Sequence, residues 1–239
     1  LLRHHRDARF AIVTPSHQSP LAVTLSLPRK QQLLDWASQN EAWIIEDDYD
    51  GEFHYTRKVL PSLKSLDQHD RVIFMGSFSK TIMPSLRMGY VVMPASTVGA
   101  FTDCADITTS GQPVLTQKIV TAFLNEGHFF RHLKKMRALY QTRRDWMIAA
   151  LQEVYGDLFF TEQNDGGMHI VAFLTKGSRD REIARYWQEQ QLQVNALSEW
   201  YRGSGKRYGL VMGYNNVRSY QEALDLLERP KRQTLALLR

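Results

Sequence analysis

Cysteine occurs once in 239 residues, at Cys104. A single thiol excludes an internal disulfide and fits a reducing, cytoplasmic setting. The side chain itself is expected to be buried or half-buried and chemically idle. No apolar run approaches the roughly 18 residues that a spanning helix needs, so no membrane role is expected. Sustained heptads, low-complexity tracts and internal repeats are missing, which excludes coiled-coil, fibrous and solenoid architectures. No group of His, Cys, Asp and Glu has metal-ligand spacing, so no metal is expected. The first six residues, Leu1-Leu2-Arg3-His4-His5-Arg6, lack methionine and the pattern of a signal peptide; neither a leader nor a natural start is expected there. Charge of one sign is also scarce: 30 Lys and Arg against 25 Asp and Glu leave +5, short of a nucleic-acid footprint. The basic tail Arg229-Pro230-Lys231-Arg232 is expected to be a solvated end.

What is present is an ordinary globular composition, 43% hydrophobic and 23% charged, long enough for one large or two modest domains. Phe10-Ala11-Ile12-Val13-Thr14 reads as a buried strand, closed by the polar loop Pro15-Ser16-His17-Gln18-Ser19-Pro20. Residues 27–40 read as a helix, with Pro28 in its first turn and Leu33, Leu34, Trp36 and Ala37 on an apolar face. Trp43-Ile44-Ile45 is a further strand, and this alternation predicts a parallel sheet with crossovers. Residues 71–75 and 90–93 read as two more buried strands. Only about a dozen residues join them, too few for a parallel crossover, so the second is expected to run antiparallel. Residues 95–110 are weakly helical, and Gly111-Gln112-Pro113 breaks the pattern. Helices are expected at 115–124 and, with a basic exposed face, at 128–152. That face admits a DNA-contacting reading, against which stands the absence of a recognisable module. Beyond Gly156 a small α+β region is expected, with strands at 166–174, 192–194 and 208–214 and helices at 179–190 and 220–227. Two domains follow, residues 1–145 and 146–239.

Two stretches carry chemistry. Glu46-Asp47-Asp48-Tyr49-Asp50-Gly51-Glu52 holds five carboxylates, which would repel one another if all faced one pocket. Some must therefore face solvent or cap backbone amides. Gly76-Ser77-Phe78-Ser79-Lys80-Thr81-Ile82-Met83-Pro84-Ser85-Leu86-Arg87 sets a lysine and an arginine in a small-residue loop between two strands. An amine at a strand end, among hydroxyls and near a guanidinium, suits an aldehyde cofactor bearing a phosphate: Lys80 for a Schiff base, Ser77, Ser79 and Arg87 for the phosphate. Ser77 and Lys80 also have the spacing of a Ser/Lys acyl-transfer pair, but the Ser-Asp-Asn and Lys-Thr-Gly partners of that motif do not occur. Adjacent parallel strands would bring Asp47 and Tyr49 to the same sheet edge as Lys80. Pyridoxal 5'-phosphate needs such a set, a carboxylate for its ring nitrogen, a phenol for its ring hydroxyl and a lysine. Taken singly, Asp47 could cap a helix, Tyr49 pack in a core and Arg87 pair with a surface carboxylate.

At these residues the chain resembles the aminotransferase-like domain of the MocR subfamily of GntR-type bacterial transcriptional regulators. The resemblance covers residues 10–217. It is carried by Thr14-Pro15-Ser16-His17-Gln18, the acidic stretch through Phe53, Gly76-Ser77-Phe78-Ser79-Lys80 with Arg87-Met88-Gly89-Tyr90, Glu126-Gly127-His128-Phe129, Met136-Arg137-Ala138-Leu139-Tyr140 and Gly209-Leu210-Val211-Met212-Gly213-Tyr214. It implies an α/β fold like that of aspartate aminotransferase (fold type I of the pyridoxal-phosphate enzymes), here a partial large domain with a mostly parallel sheet plus a small C-terminal α+β domain. It implies Lys80 as the Schiff-base lysine, Asp47 at the ring nitrogen, Tyr49 at the ring hydroxyl, and Ser77, Ser79 and Arg87 at the phosphate. Such domains serve as effector sensors for an amine or amino acid, with DNA bound through an N-terminal winged helix absent from this chain, and a homodimer is implied. A working aminotransferase is the alternative. Two departures stand out. Ser19 and Ala22 replace the asparagine and glycine of the usual Asn-Pro-x-Gly, leaving His17 or Gln18 to contact the ring. Residues 209–214 also lack the arginine that clamps a substrate carboxylate; Arg202, Arg207 and Arg218 flank them.

Overall fold

A computed structural model describes residues 7–55, 60–109, 113–162 and 166–238. The expectations for residues 1–6 and for a break at 111–112 lie outside the described residues. β1 (Phe10–Val13), α1 (Leu27–Gln39) and β2 (Trp43–Asp48) come first, followed by the single-turn α2 (Leu63–Leu66). β3 (Val72–Ser77) runs straight into α3 (Phe78–Thr81), also one turn, and β4 (Gly89–Val92) follows. Then come α4 (Val98–Thr108), α5 (Val114–Asn125) and the long α6 (His128–Tyr155). β5 (Phe159–Thr161), β6 (His169–Leu174), α7 (Asp180–Glu189), β7 (Val194–Ala196), β8 (Gly209–Gly213), α8 (Tyr220–Glu228) and α9 (Lys231–Leu238) complete the order. The described residues fall into two compact units, one drawn from 1–19 and 23–134, the other from 20–22 and 135–239.

The first unit is built on a four-stranded sheet in the order β1-β2-β3-β4. β1, β2 and β3 are parallel and β4 is antiparallel to β3, as the connection lengths require. One sheet face packs on α1: Leu33, Leu34 and Ala37 lie buried against Ile44, Val72 and Leu63. Each large side chain buried there contributes roughly 1.5–3 kcal/mol. Lys30 falls on the same helical stripe and is buried too, its Nζ donating to the Pro61 carbonyl at 2.6 Å; desolvation by burial lowers its pKa. The other face is open: Phe10 is 59% and Ile12 72% exposed, with Met75 and Val91 exposed beside them.

Two strands read as buried from their apolar sequence are therefore not buried. β1 and β4 are the sheet's edges, and all four residues of β4 are exposed. Cys104 also differs from expectation. It is exposed on α4, a helix with no buried residue.

The second unit has an antiparallel sheet in the order β5-β6-β8-β7. Its core joins Met147, Ala150 and Leu151 of α6 to Trp187 of α7, Leu210 of β8 and Leu227 of α8. Gly209 is pressed against β6, where a Cβ would lie 2.4 Å from the Ala172 carbonyl oxygen and 2.9 Å from the Phe173 Cα. Buried Asp180 accepts from Ser198 N and Oγ at 2.8 Å each and from Gly209 N at 3.2 Å. The short strand lies at 194–196 rather than 192–194, and β5 was not foreseen. Nor is the basic tail a loose end: it opens α9, where Thr234 is buried and accepts from Trp187 Nε1 at 2.8 Å.

Gly209→Ala is expected to destabilise the protein by about 1–3 kcal/mol, because backbone rather than a movable side chain fills the space. A lower urea midpoint at unchanged slope checks this.

Candidate functional site

In the first unit, the parallel register sets Ile45 beside Ile73 and Asp47 beside Met75. Side chains alternate along a strand, so Asp47, Met75 and Ser77 share the open face, while Glu46 takes the face packed on α1. Glu46 is fully buried and accepts from the Leu63 and Lys64 amides at 2.8 Å each, capping α2. Its pKa is raised by burial, against the pull of those amides and of Lys30. Burial likewise raises Asp48, against the opposing pull of the nearby Ser16 hydroxyl and Gly51 amide. Asp50 accepts from His17 Nδ1 at 3.1 Å, both groups being buried. The acidic stretch thus limits self-repulsion by dividing between the two faces, with Glu46 engaging amides and Asp50 an imidazole.

Asp47 remains partly exposed at the strand end. Its pKa is raised, first by desolvation and then by the charge of Asp50. The Tyr49 hydroxyl is buried beside the Ser19 hydroxyl without reaching hydrogen-bond geometry. Burial and the Asp50 charge push that phenol well above its usual range.

The lysine turn begins where β3 ends. Ser77 is the N-cap of α3, and its Oγ accepts from Ser79 N at 3.1 Å, which leaves the hydroxyl its own proton to donate. Phe78 is buried, and its amide donates to the Met88 carbonyl at 3.0 Å, closing the loop. Lys80, two residues on, has an exposed side chain. Arg87 follows a 3-10 turn at Pro84–Leu86 with φ of 49°, in the left-handed region, and its side chain is exposed. A non-glycine residue there carries strain on the order of 1–3 kcal/mol. Gly76 lies under the Tyr90 ring, which passes 2.3 Å from where a Cβ would sit.

The fold therefore brings Asp47, Ser77, Ser79, Lys80 and Arg87 to the end of one strand pair and its loop. His17 is committed to Asp50. Gln18 is exposed; its backbone amide donates to the Val23 carbonyl at 3.0 Å and its side chain to the Ser19 carbonyl. In the second unit, Arg207 pairs with Glu162 at 2.5 Å and lies 3.6 Å over the Phe173 ring, while Arg202 and Arg218 are exposed. Sequence reasoning missed His132, whose Nε2 donates to the Thr81 carbonyl at 2.9 Å. Its only signal was a place three residues after Phe129 on the apolar stripe of α6.

Comparison with known proteins gives one family: the profile described as aminotransferase class I and II matches residues 1–203. The probable rhizopine catabolism regulatory protein MocR of Rhizobium meliloti is 34% identical over 221 residues, 92% of this chain and 45% of that protein. The HTH-type pyridoxine biosynthesis transcriptional regulator PdxR of Corynebacterium glutamicum is 34% identical over 214 residues, 88% of this chain and 45% of that protein. The chain thus spans under half the length of these relatives. Among solved structures, the α-aminoadipate aminotransferase LysN of Thermus thermophilus, in complex with N-(5'-phosphopyridoxyl)-L-leucine, superposes with a TM-score of 0.82. It is 25% identical and covers 96% of this chain and 59% of that one.

Two outcomes follow for the full-length protein freed of any small molecule. Arg87→Gly is expected to stabilise it by about 0.5–1 kcal/mol, since glycine accepts the left-handed backbone without strain; thermal and urea midpoints check this. For Asp47 the folded pKa lies above the unfolded one, so stability falls as pH rises through that window and stays lower above it. Asp47→Asn should then be more stable than wild type at pH 7, on the order of 0.5 kcal/mol after screening of a partly exposed group. The difference should fade as pH falls through the ordinary Asp range and vanish below about pH 3, where both states are protonated.

Proposed function

Because the chain belongs to the aminotransferase class I and II family, we propose that it is the greater part of a pyridoxal-phosphate-binding effector domain of a MocR-type transcriptional regulator. The observation that carries the reading is the set of groups at the ends of β2 and β3. A carboxylate and a capping serine share one sheet face, and a lysine stands three residues beyond that serine.

The residues fit the cofactor. Among the described residues the buried Tyr49 hydroxyl has no hydrogen-bond partner, and a ring oxygen would supply one. Asp47 sits on the open face with Ser77, able to hold a pyridine nitrogen protonated. Ser77 and Ser79 have hydroxyl protons for a phosphate, and Arg87 brings a fixed positive charge to it. Lys80 offers the amine for the covalent link. When bound, the cofactor supplies an electron sink for carbanion formation at an attached amino acid. His17 and Asp50 act one step back, tying the loop after β1 to the turn that carries Tyr49.

The regulatory reading is favoured by these two relatives, both named as regulators. In it, an amine or amino acid ligand shifts the balance of conformations and so the placement of a DNA-binding module elsewhere in the longer polypeptide. A cytoplasmic homodimer is part of this proposal. A second reading, a working aminotransferase, is favoured by the fold shared with such enzymes.

The test is the visible absorbance of the full-length protein after incubation with pyridoxal phosphate. Wild type is expected to show a band that survives dialysis and Lys80→Ala to lose it. Absence of the band in wild type sinks the cofactor reading. Steady conversion of an amino acid and a 2-oxo acid, lost in Lys80→Ala, would favour the enzyme over the sensor.

A further inference from the structure

We infer that His132 is a positioning residue for Lys80, acting through the carbonyl of Thr81. The turn that carries the lysine is short: α3 has four residues, so nearly all of its backbone groups must find partners outside it. Within the turn, the Phe78 carbonyl accepts from Ile82 N at 2.9 Å. The Thr81 carbonyl, next to Lys80, accepts instead from His132 Nε2 at 2.9 Å, across 51 positions of sequence. A carbonyl oxygen can only accept, so Nε2 carries a proton in either the neutral or the cationic ring.

The hold is two-sided. The His132 ring meets Phe123 edge-on at 6.3 Å. Phe123 meets Phe129 at 6.4 Å, and Phe129 meets Phe78 at 6.1 Å. Phe78 also lies 5.4 Å from Tyr90 on the other side. The residue two before Lys80 is therefore fixed by a chain of rings, and the residue after it by the imidazole at the far end of the same chain. The side chain between them is exposed and is carried by this backbone. A reacting amine held in one place by a rigid support is worth far more than a mobile one. The geometry of this hold stands by itself; its consequence for a cofactor rests on the proposed function.

His132→Leu and His132→Gln in the full-length protein test the inference. In cofactor-free protein, the Leu variant is expected to speed amide hydrogen exchange across residues 79–83 about 10-fold, with the second unit unchanged. The Gln variant, whose amide can donate in place of Nε2, should stay within about 2-fold of wild type. In protein loaded with pyridoxal phosphate, Leu should shift the pH midpoint of the visible band and release the cofactor about 10-fold faster, and Gln should restore both. Unchanged exchange in the turn, or exchange quickened evenly throughout the chain, overturns the inference. Altered exchange with an unmoved pH midpoint and release rate also overturns it, leaving His132 a fold contact. A wild type that takes up no cofactor defeats the functional reading instead, and the exchange result still decides whether His132 holds the turn.

Discussion

The ladder between β2 and β3 is the constraint on which the first unit depends. It is parallel, with Asp47 opposite Met75, and it decides which acid reaches the open face. A slip of one residue would exchange the faces of every side chain on the strand, burying Asp47 against α1 and exposing Glu46. Two features oppose the slip. Ile44 and Val72 are locked under Leu33 and Leu34, and Glu46 is held at both oxygens by the first amides of α2. The core thus sets the chemistry: the acid that stabilises the fold and the acid offered to a ligand are neighbours in sequence with opposite fates.

The same region carries several features that oppose stability. Asp47 and Asp48 ionise against their surroundings, the Tyr49 hydroxyl is buried without a partner, and Arg87 sits in the left-handed region. Such features persist when surrounding structure over-determines them, and here α1 below and the aromatic chain from Tyr90 to His132 beside the loop provide that support. In the second unit, Ala22 is another non-glycine residue in the left-handed region, with a φ of 55°.

Periodicity and loop length were enough to place most helices and strands and to set β4 antiparallel. They could not report what lies beside a strand. β1 and β4 have the composition of buried strands, but burial depends on sheet order, and both are edges. Cys104 fails for a similar reason, because α4 buries none of its residues. Lys80, Asp47 and Arg87 could be singled out because their spacing matches a chemical need, and their roles belong to the proposed function. That some acids of the stretch cap amides or face solvent could be argued from repulsion; that Glu46 is the capping one could not. His132 could not, since a histidine on an apolar stripe looks like any other ring until its 2.9 Å contact with the Thr81 carbonyl is seen. Arg207 looked available from sequence, but its guanidinium is engaged by Glu162 and by the face of Phe173.

Sensing and turnover ask different things of this lysine turn. Turnover needs an amine that takes up and returns a proton at one fixed point, so a rigid support contributes directly to rate. Sensing needs only that the occupied and empty states differ in free energy, because a ligand shifts a conformational balance by no more than its differential affinity for the two forms. A support that runs from Lys80 through Thr81 to α6 serves either end. What separates them is the grip on a substrate carboxylate. β8 offers no arginine, and Arg207 is already paired. A weak carboxylate grip costs an enzyme binding energy that it would spend in the transition state. A sensor loses only affinity, which a higher concentration of its ligand can offset. Under the two proposed readings, these departures would weigh on turnover more heavily than on recognition.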